Sequence, residues 1–129
     1  MRKSILPVIL ILCVILTSGA SAVSVRSNNN GVRVTPAMKI EERLVNCRLT
    51  VSSGNSRDDI SIKVELYKKE SGSYTKLKTW TDSGTGILIF DEDYTNGREA
   101  NGTYRMEYSV TVDGSKGIDN VSDYVEKSE

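Results

Sequence analysis

The 129-residue chain contains no histidine. That absence removes the commonest general base, the histidine-dependent serine and cysteine nucleophiles, and nearly every zinc site. Cysteine is almost as scarce, with only Cys13 and Cys47. Cys13 falls in a leader expected to be removed, so the mature chain would keep Cys47 alone and could form no internal disulfide. A domain without cross-links has to be held together by its core. Neither sign of charge dominates, since 17 basic residues stand against 17 acidic ones. Such a balance gives no electrostatic reason to expect a nucleic-acid partner.

What is present begins with a leader. Arg2 and Lys3 precede a 12-residue apolar run, residues 5–16, and Ala20-Ser21-Ala22 supplies a small-x-small cleavage signature. As a helix that run would span roughly 18 Å, short of the ~30 Å hydrocarbon layer. Leu12 stands before Cys13 where a lipoprotein signal wants a small residue. Residues 1–22 therefore read as a signal peptide cleaved after Ala22, and the protein as secreted, touching membrane only through that peptide during export. Removing 22 of 129 residues leaves 107, with 15 basic against 17 acidic side chains once Arg2 and Lys3 are gone. One domain of that length can bury a core without metals or cross-links.

Period-two alternation organises the rest. Tyr104, Met106, Tyr108, Val110 and Val112 share one face of a strand, with Thr103, Arg105, Glu107, Ser109 and Thr111 on the other. Val45, Cys47, Leu49 and Val51 alternate likewise, as do Ile60, Ile62, Val64 and Leu66. Turn chemistry stands at residues 54–58, 68–73, 82–86 and 113–117. Leu77 and Trp80 are three apart, which a flat strand cannot bury together, so a bulge or twist is expected between them. Residues 87–90 read as a short buried run ended by Asp91-Glu92-Asp93, residues 121–125 as a weaker last strand, and residues 38–44 have some helical character. The polar segment 23–36 reads as a flexible tail leading into a weak first strand, with the folded domain over 37–129. About seven short strands separated by turns are the signature of a single all-β antiparallel β-sandwich, with a small closed barrel as the runner-up.

Ala100, Gly102 and Tyr104 at the entry to the best strand resemble the tyrosine corner of immunoglobulin-like domains. The resemblance implies an immunoglobulin-like or fibronectin type III-like sandwich, with the Tyr104 hydroxyl bonded to backbone a few residues upstream. It also implies Cys47 and Met106 facing each other as an apolar substitute for the antibody disulfide, and Ile62 or Val64 at the antibody-type tryptophan site. Trp80 stands too far along the chain to be that tryptophan. The leader, the segment 72–80 and the run 101–105 together resemble a poorly characterised group of small exported proteins of Gram-positive, Clostridia-type bacteria, over most of residues 37–126. That group brings no activity with it. A lone unpaired cysteine agrees with a bacterial exported protein, since small secreted animal domains usually carry several disulfides. In a bacterial chain the sequons at Asn101 and Asn120 stand idle.

Chemistry-bearing residues are few. Lys63, Lys68, Lys69, Lys76 and Lys78, with Tyr67 and Tyr74, make one hairpin basic. Lysines on the solvent face of both strands would suit an anionic wall polymer or a lipid headgroup; the plainer reading is protection of an exposed edge. Asp91, Glu92, Asp93, Thr95, Asn96 and Glu99 gather oxygens of the kind calcium prefers, but Asn96 and Gly102 occupy the places where an EF-hand loop needs glycine and glutamate. A solvated strand end is the simpler reading. Asp58 and Asp59 with that loop could supply a carboxylate pair for glycoside hydrolysis, though the chain has no long loop to build a cleft. Cys47 has no activating base and reads as a buried structural thiol, as Tyr104, Met106 and Trp80 read as structural. The expectation is a non-enzymatic exported binding module with no catalytic residue, metal or cofactor. Its partner would be extracellular, a wall polymer, glycan or protein. The competing reading is a secreted effector or inhibitor acting on other cells, ahead of a small hydrolase.

Overall fold

The computed structural model describes residues 24–25 and 29–129; the expected signal peptide, residues 1–22, lies outside them. Eight strands follow in order: β1 (Ser24–Val25), β2 (Arg33–Glu41), β3 (Leu44–Ser52), β4 (Asp59–Glu70), β5 (Ser73–Thr85), β6 (Ile87–Tyr94), β7 (Thr103–Gly114) and β8 (Gly117–Ser128). They form two antiparallel four-stranded sheets, β1-β2-β3-β6 and β5-β4-β7-β8. Because β1 is only two residues long, seven strands carry the architecture.

The three alternating segments supply most of the core. Val45, Cys47, Leu49 and Val51 of β3 share one buried cluster with Ile60, Ile62, Val64 and Leu66 of β4 and with Tyr104, Met106, Tyr108, Val110 and Val112 of β7. Val34, Met38 and Ile40 of β2, Phe90 of β6 and Val121 of β8 complete it. Each side chain of this size removed from water contributes about 1.5–3 kcal/mol, which makes a cross-link dispensable. Cys47 and Met106 lie on different sheets, both fully buried in the same cluster.

Several elements depart from expectation. The proposed tail boundary at residue 36 is too late: Val32 and Val34 are buried and β2 begins at Arg33. Pro36 is accommodated because, among the described residues, β2 is flanked by β1 only at Arg33 and Val34, so the missing Pro36 N–H breaks no pairing there. The helical character over 38–44 loses to pairing, since Met38 and Ile40 point inward and Glu41 pairs with Leu44 in a tight hairpin. Residues 82–85 are strand rather than turn. They pair with Asp59 to Ile62, and only Gly86, at φ 72°, turns the chain from one sheet to the other. The run 87–90 is not buried as a whole: β6 is an edge strand, so Ile87 and Ile89 face outward at 60% and 54% exposure while Phe90 faces in. The last strand is longer than expected, running from Gly117 to Ser128.

The bulge expected between Leu77 and Trp80 is present. Leu66 pairs with Lys78 and Tyr67 with Lys76, so Leu77 is the extra residue on β5. The slip lets both Leu77 and Trp80 pack against the core. Trp80 then meets Phe90 across the gap between the sheets, ring centroids 5.6 Å apart at 63°. This edge-to-face pair closes the side of the sandwich where β5 hands over to β6.

Candidate functional site

Residues directly opposite one another in a sheet share a face, so the register defines what the four-stranded sheet shows to solvent. On its outer face Lys76, Tyr67, Arg105 and Glu126 form one row across β5, β4, β7 and β8, and Thr79, Glu65, Glu107 and Tyr124 the next. Arg105 is the hub. Its guanidinium carbon lies 4.2 Å from the ring centroids of both Tyr74 and Tyr124. Its Nε and Nη2 donate to Glu126 Oε2 at 3.0 and 2.7 Å, and Nη1 lies 3.5 Å from Glu107 Oε2. The Tyr74 hydroxyl donates to the same Glu126 oxygen at 2.6 Å. Burial and that donated hydrogen bond push the Tyr74 phenol up to about 12.

This arrangement holds two aromatic rings against one guanidinium on the outer face of the sheet. Cation–π contacts at exposed sites contribute about 0.5–1 kcal/mol each, and charge-assisted hydrogen bonds fix the geometry. Tyr124 remains half exposed, and Thr79, Ser109, Ser122 and Asn120 surround the cluster with hydrogen-bonding groups. Tyrosine and arginine held this way are the side chains that dominate recognition surfaces. They offer contact area and orientation, with no nucleophile–base pair among them.

The basic hairpin does not form the single lysine face expected of it. Lys63 and Lys76 point outward but flank Glu65, at 3.9 and 2.7 Å, and the hydrogen bond from Lys76 holds the Glu65 carboxyl below its ordinary range. Lys69 pairs with Tyr74 in the register. Lys68 turns the other way and lies 5.6 Å from the Tyr104 ring centroid. Lys78 pairs with the buried Leu66 and so belongs to the inner side of the edge strand. Strand alternation and the bulge at Leu77 divide the lysines between the two faces.

The remaining candidates separate as well. Asp91 and Asp93 accept from Asn46 Nδ2 at 2.7 and 2.8 Å, and Arg48 lies 3.8 Å from Asp91. Thr95 and Asn96 accept backbone N–H groups of their own loop. Among the described residues no group of three or more acidic or cysteine side chains is placed to hold a metal. Asp58 is buried and Asp59 exposed, so the two adjacent carboxylates do not converge. Burial, with Asp93 second, pushes the Cys47 thiol up to about 12, far from a reactive thiolate. Tyr104 is buried at the strand entry, but among the described residues its hydroxyl makes no hydrogen bond to upstream backbone.

Arg105, Tyr124, Glu126 and Glu65 were not singled out from the sequence. The signal for two of them was there: counting outward from the two-residue loop after Gly114 pairs Arg105 with Glu126. Compared with protein-family models, curated proteins and solved structures, the chain matches none. The fold and face define an all-β sandwich with a tyrosine–arginine cluster on one sheet.

Proposed function

We propose that the protein is an exported, non-enzymatic binding module that engages an extracellular partner through the outer face of its β5-β4-β7-β8 sheet. The observation carrying this reading is the Tyr74–Arg105–Tyr124 stack, part-exposed on an otherwise polar sheet face. The sequential order of the seven long strands, first-second-fifth on one sheet and fourth-third-sixth-seventh on the other, supports a fibronectin type III-like reading. The near-balance of charge on this face, with Lys63 and Lys76 beside Glu65 and Arg105 beside Glu126, favours a protein or glycan surface over an anionic polymer.

The test is sedimentation of purified protein with Gram-positive cells and with isolated walls, at low and high salt. Wild type is compared with a Tyr74→Ala/Tyr124→Ala variant and with Lys68, Lys69, Lys76 and Lys78 all changed to Glu. Binding lost in the tyrosine variant, but kept in the lysine variant and at high salt, is the expected result. Binding abolished by salt and by the lysine changes would instead assign recognition to the basic hairpin.

A further inference from the structure

Three polar residues are buried together at the end of the sandwich where β7 turns into β8. Asn30 precedes β2, Asp58 precedes β4 and Asp119 opens β8, at 6%, 3% and 1% exposure. The Asn30 backbone N–H donates to Asp119 Oδ2 at 2.9 Å, and its side-chain amide donates to the same oxygen at 3.0 Å and to the Gly117 carbonyl at 2.8 Å. With its donors committed, Asn30 presents its Oδ1 toward Gly114, where an added Cβ would collide with that oxygen and with the Asp58 carboxylate. Backbone bonds fix Asp58 in place: its N–H donates to Asn55 O at 3.1 Å and its carbonyl accepts from the Gly86 N–H at 2.9 Å.

Asp58 Oδ2 is fully buried and has no hydrogen-bond partner, the sole such side-chain atom among the described residues. An ionised carboxylate left in that state is expensive, because desolvation is not offset by any donor. The other carboxylate oxygen, Asp58 Oδ1, shares the space beside Gly114 with Asn30 Oδ1, a further acceptor. A carboxylate and an amide carbonyl brought together from two separate segments, with Asn30 held by a second carboxylate, are oxygen donors of the kind a hard cation takes.

We propose that Asp58, Asn30 and Asp119 form the protein side of a site for a divalent cation of the calcium class, with water completing its coordination. Asp58 and the Asn30 Oδ1 are the direct ligands, and Asp119 holds Asn30 in the orientation that exposes its oxygen to the site. The ion neutralises Asp58 and ties the segment entering β2 to the β3–β4 connection and to the β7–β8 hairpin. In a chain whose described cysteine is buried and unpaired, this is the cross-link the fold otherwise lacks.

The test is thermal unfolding and calorimetric titration of the purified protein in chelator, in calcium and in magnesium. Saturating calcium raises the melting temperature by at least about 5 °C over the chelated protein, as a native-state ligand in excess does for a domain of this size. Titration gives one calcium per chain. Asp58→Asn abolishes both responses and melts in chelator no lower than wild type, because it removes an unpartnered buried charge, whereas Asp91→Asn/Asp93→Asn keeps the calcium shift. No heat and no shift in wild type, a calcium shift that survives in Asp58→Asn, or an equal shift with magnesium would each overturn the assignment.

Discussion

β5 and β7 lie in the same sheet, each separated from the other by β4, and are nearly equal in length, yet they bury almost nothing in common. β7 is central. Its alternate residues Tyr104 to Val112 are all buried, and each has a neighbour on both sides. β5 is an edge, and of its 13 residues none is fully buried; Leu77 and Trp80 alone reach the core, by means of a bulge. The difference shows what sequence alternation reports. It records that one face of a strand is covered by the opposite sheet, not that a strand exists. At an edge the cover runs out, both faces meet water, and Thr and Lys replace the apolar half of the pattern, which also discourages edge-to-edge pairing.

The largest effect that could break this comparison is in β7. Met106 is fully buried between Leu66 and Val125 in the register. Met106→Ala should cost about 2–5 kcal/mol in denaturant unfolding, through lost transfer energy and a cavity the two sheets cannot close. A loss below about 1 kcal/mol would mean the centre is no better packed than the edge. Trp80→Ala in β5 should cost less, about 2 kcal/mol, since Trp80 is only half buried but loses its contact with Phe90. If Trp80→Ala cost more than Met106→Ala, the closure between β5 and β6 would outrank the central strand in holding the sheets together.

The same contrast explains how much was legible beforehand. β3, β4 and β7 announced themselves because each pairs on both sides and buries one face. Residues 82–85 did not: Asp82, Ser83 and Gly84 favour turns in isolation, and their strand is imposed by pairing to Ile60, Ser61 and Ile62. The lysines of the basic hairpin do not share one face because strand alternation and one bulged residue divide them, and a bulge's position cannot be counted from composition. The Arg105 cluster was hidden for another reason. Tyr74 and Tyr124 come from strands that never pair with each other, so only the assembled sheet brings both rings to one guanidinium.

Cys47 sharpens the comparison from the other sheet. Its thiol is pushed up from 9.0 to about 12 by burial, with Asp93 adding to the effect. A folded-state value above the unfolded one favours the neutral thiol, so this contribution is fully present below pH 9 and is lost as pH rises toward 12. Stability should therefore fall by roughly 1.4 kcal/mol for each pH unit in the middle of that window, before other groups are counted. Cys47→Ala should flatten that part of the alkaline limb while lowering stability at pH 7. The raised Tyr67 and Tyr74 phenols act in the same direction and leave a residual slope in the variant. Native protein should be inert to a thiol reagent at pH 8 and react only on unfolding; prompt labelling would place the thiol outside the core.

The smallest expected effect belongs to the other edge strand. Ile89 of β6 pairs with Thr50 on the outer face and is 54% exposed, while Phe90 beside it is buried. If cover rather than residue type sets the energetics, Ile89→Thr should change unfolding free energy by no more than about 0.5 kcal/mol. Threonine keeps the branched Cβ that suits a strand, so backbone preference is held constant and only exposed apolar area changes. Phe90→Ala, one residue away on the same strand, should cost about 3–5 kcal/mol. A loss at Ile89 comparable with that at Phe90 would show that Ile87 and Ile89 are covered in solution by something outside this chain's fold, and a rise in apparent mass with concentration would identify a second copy as the cover.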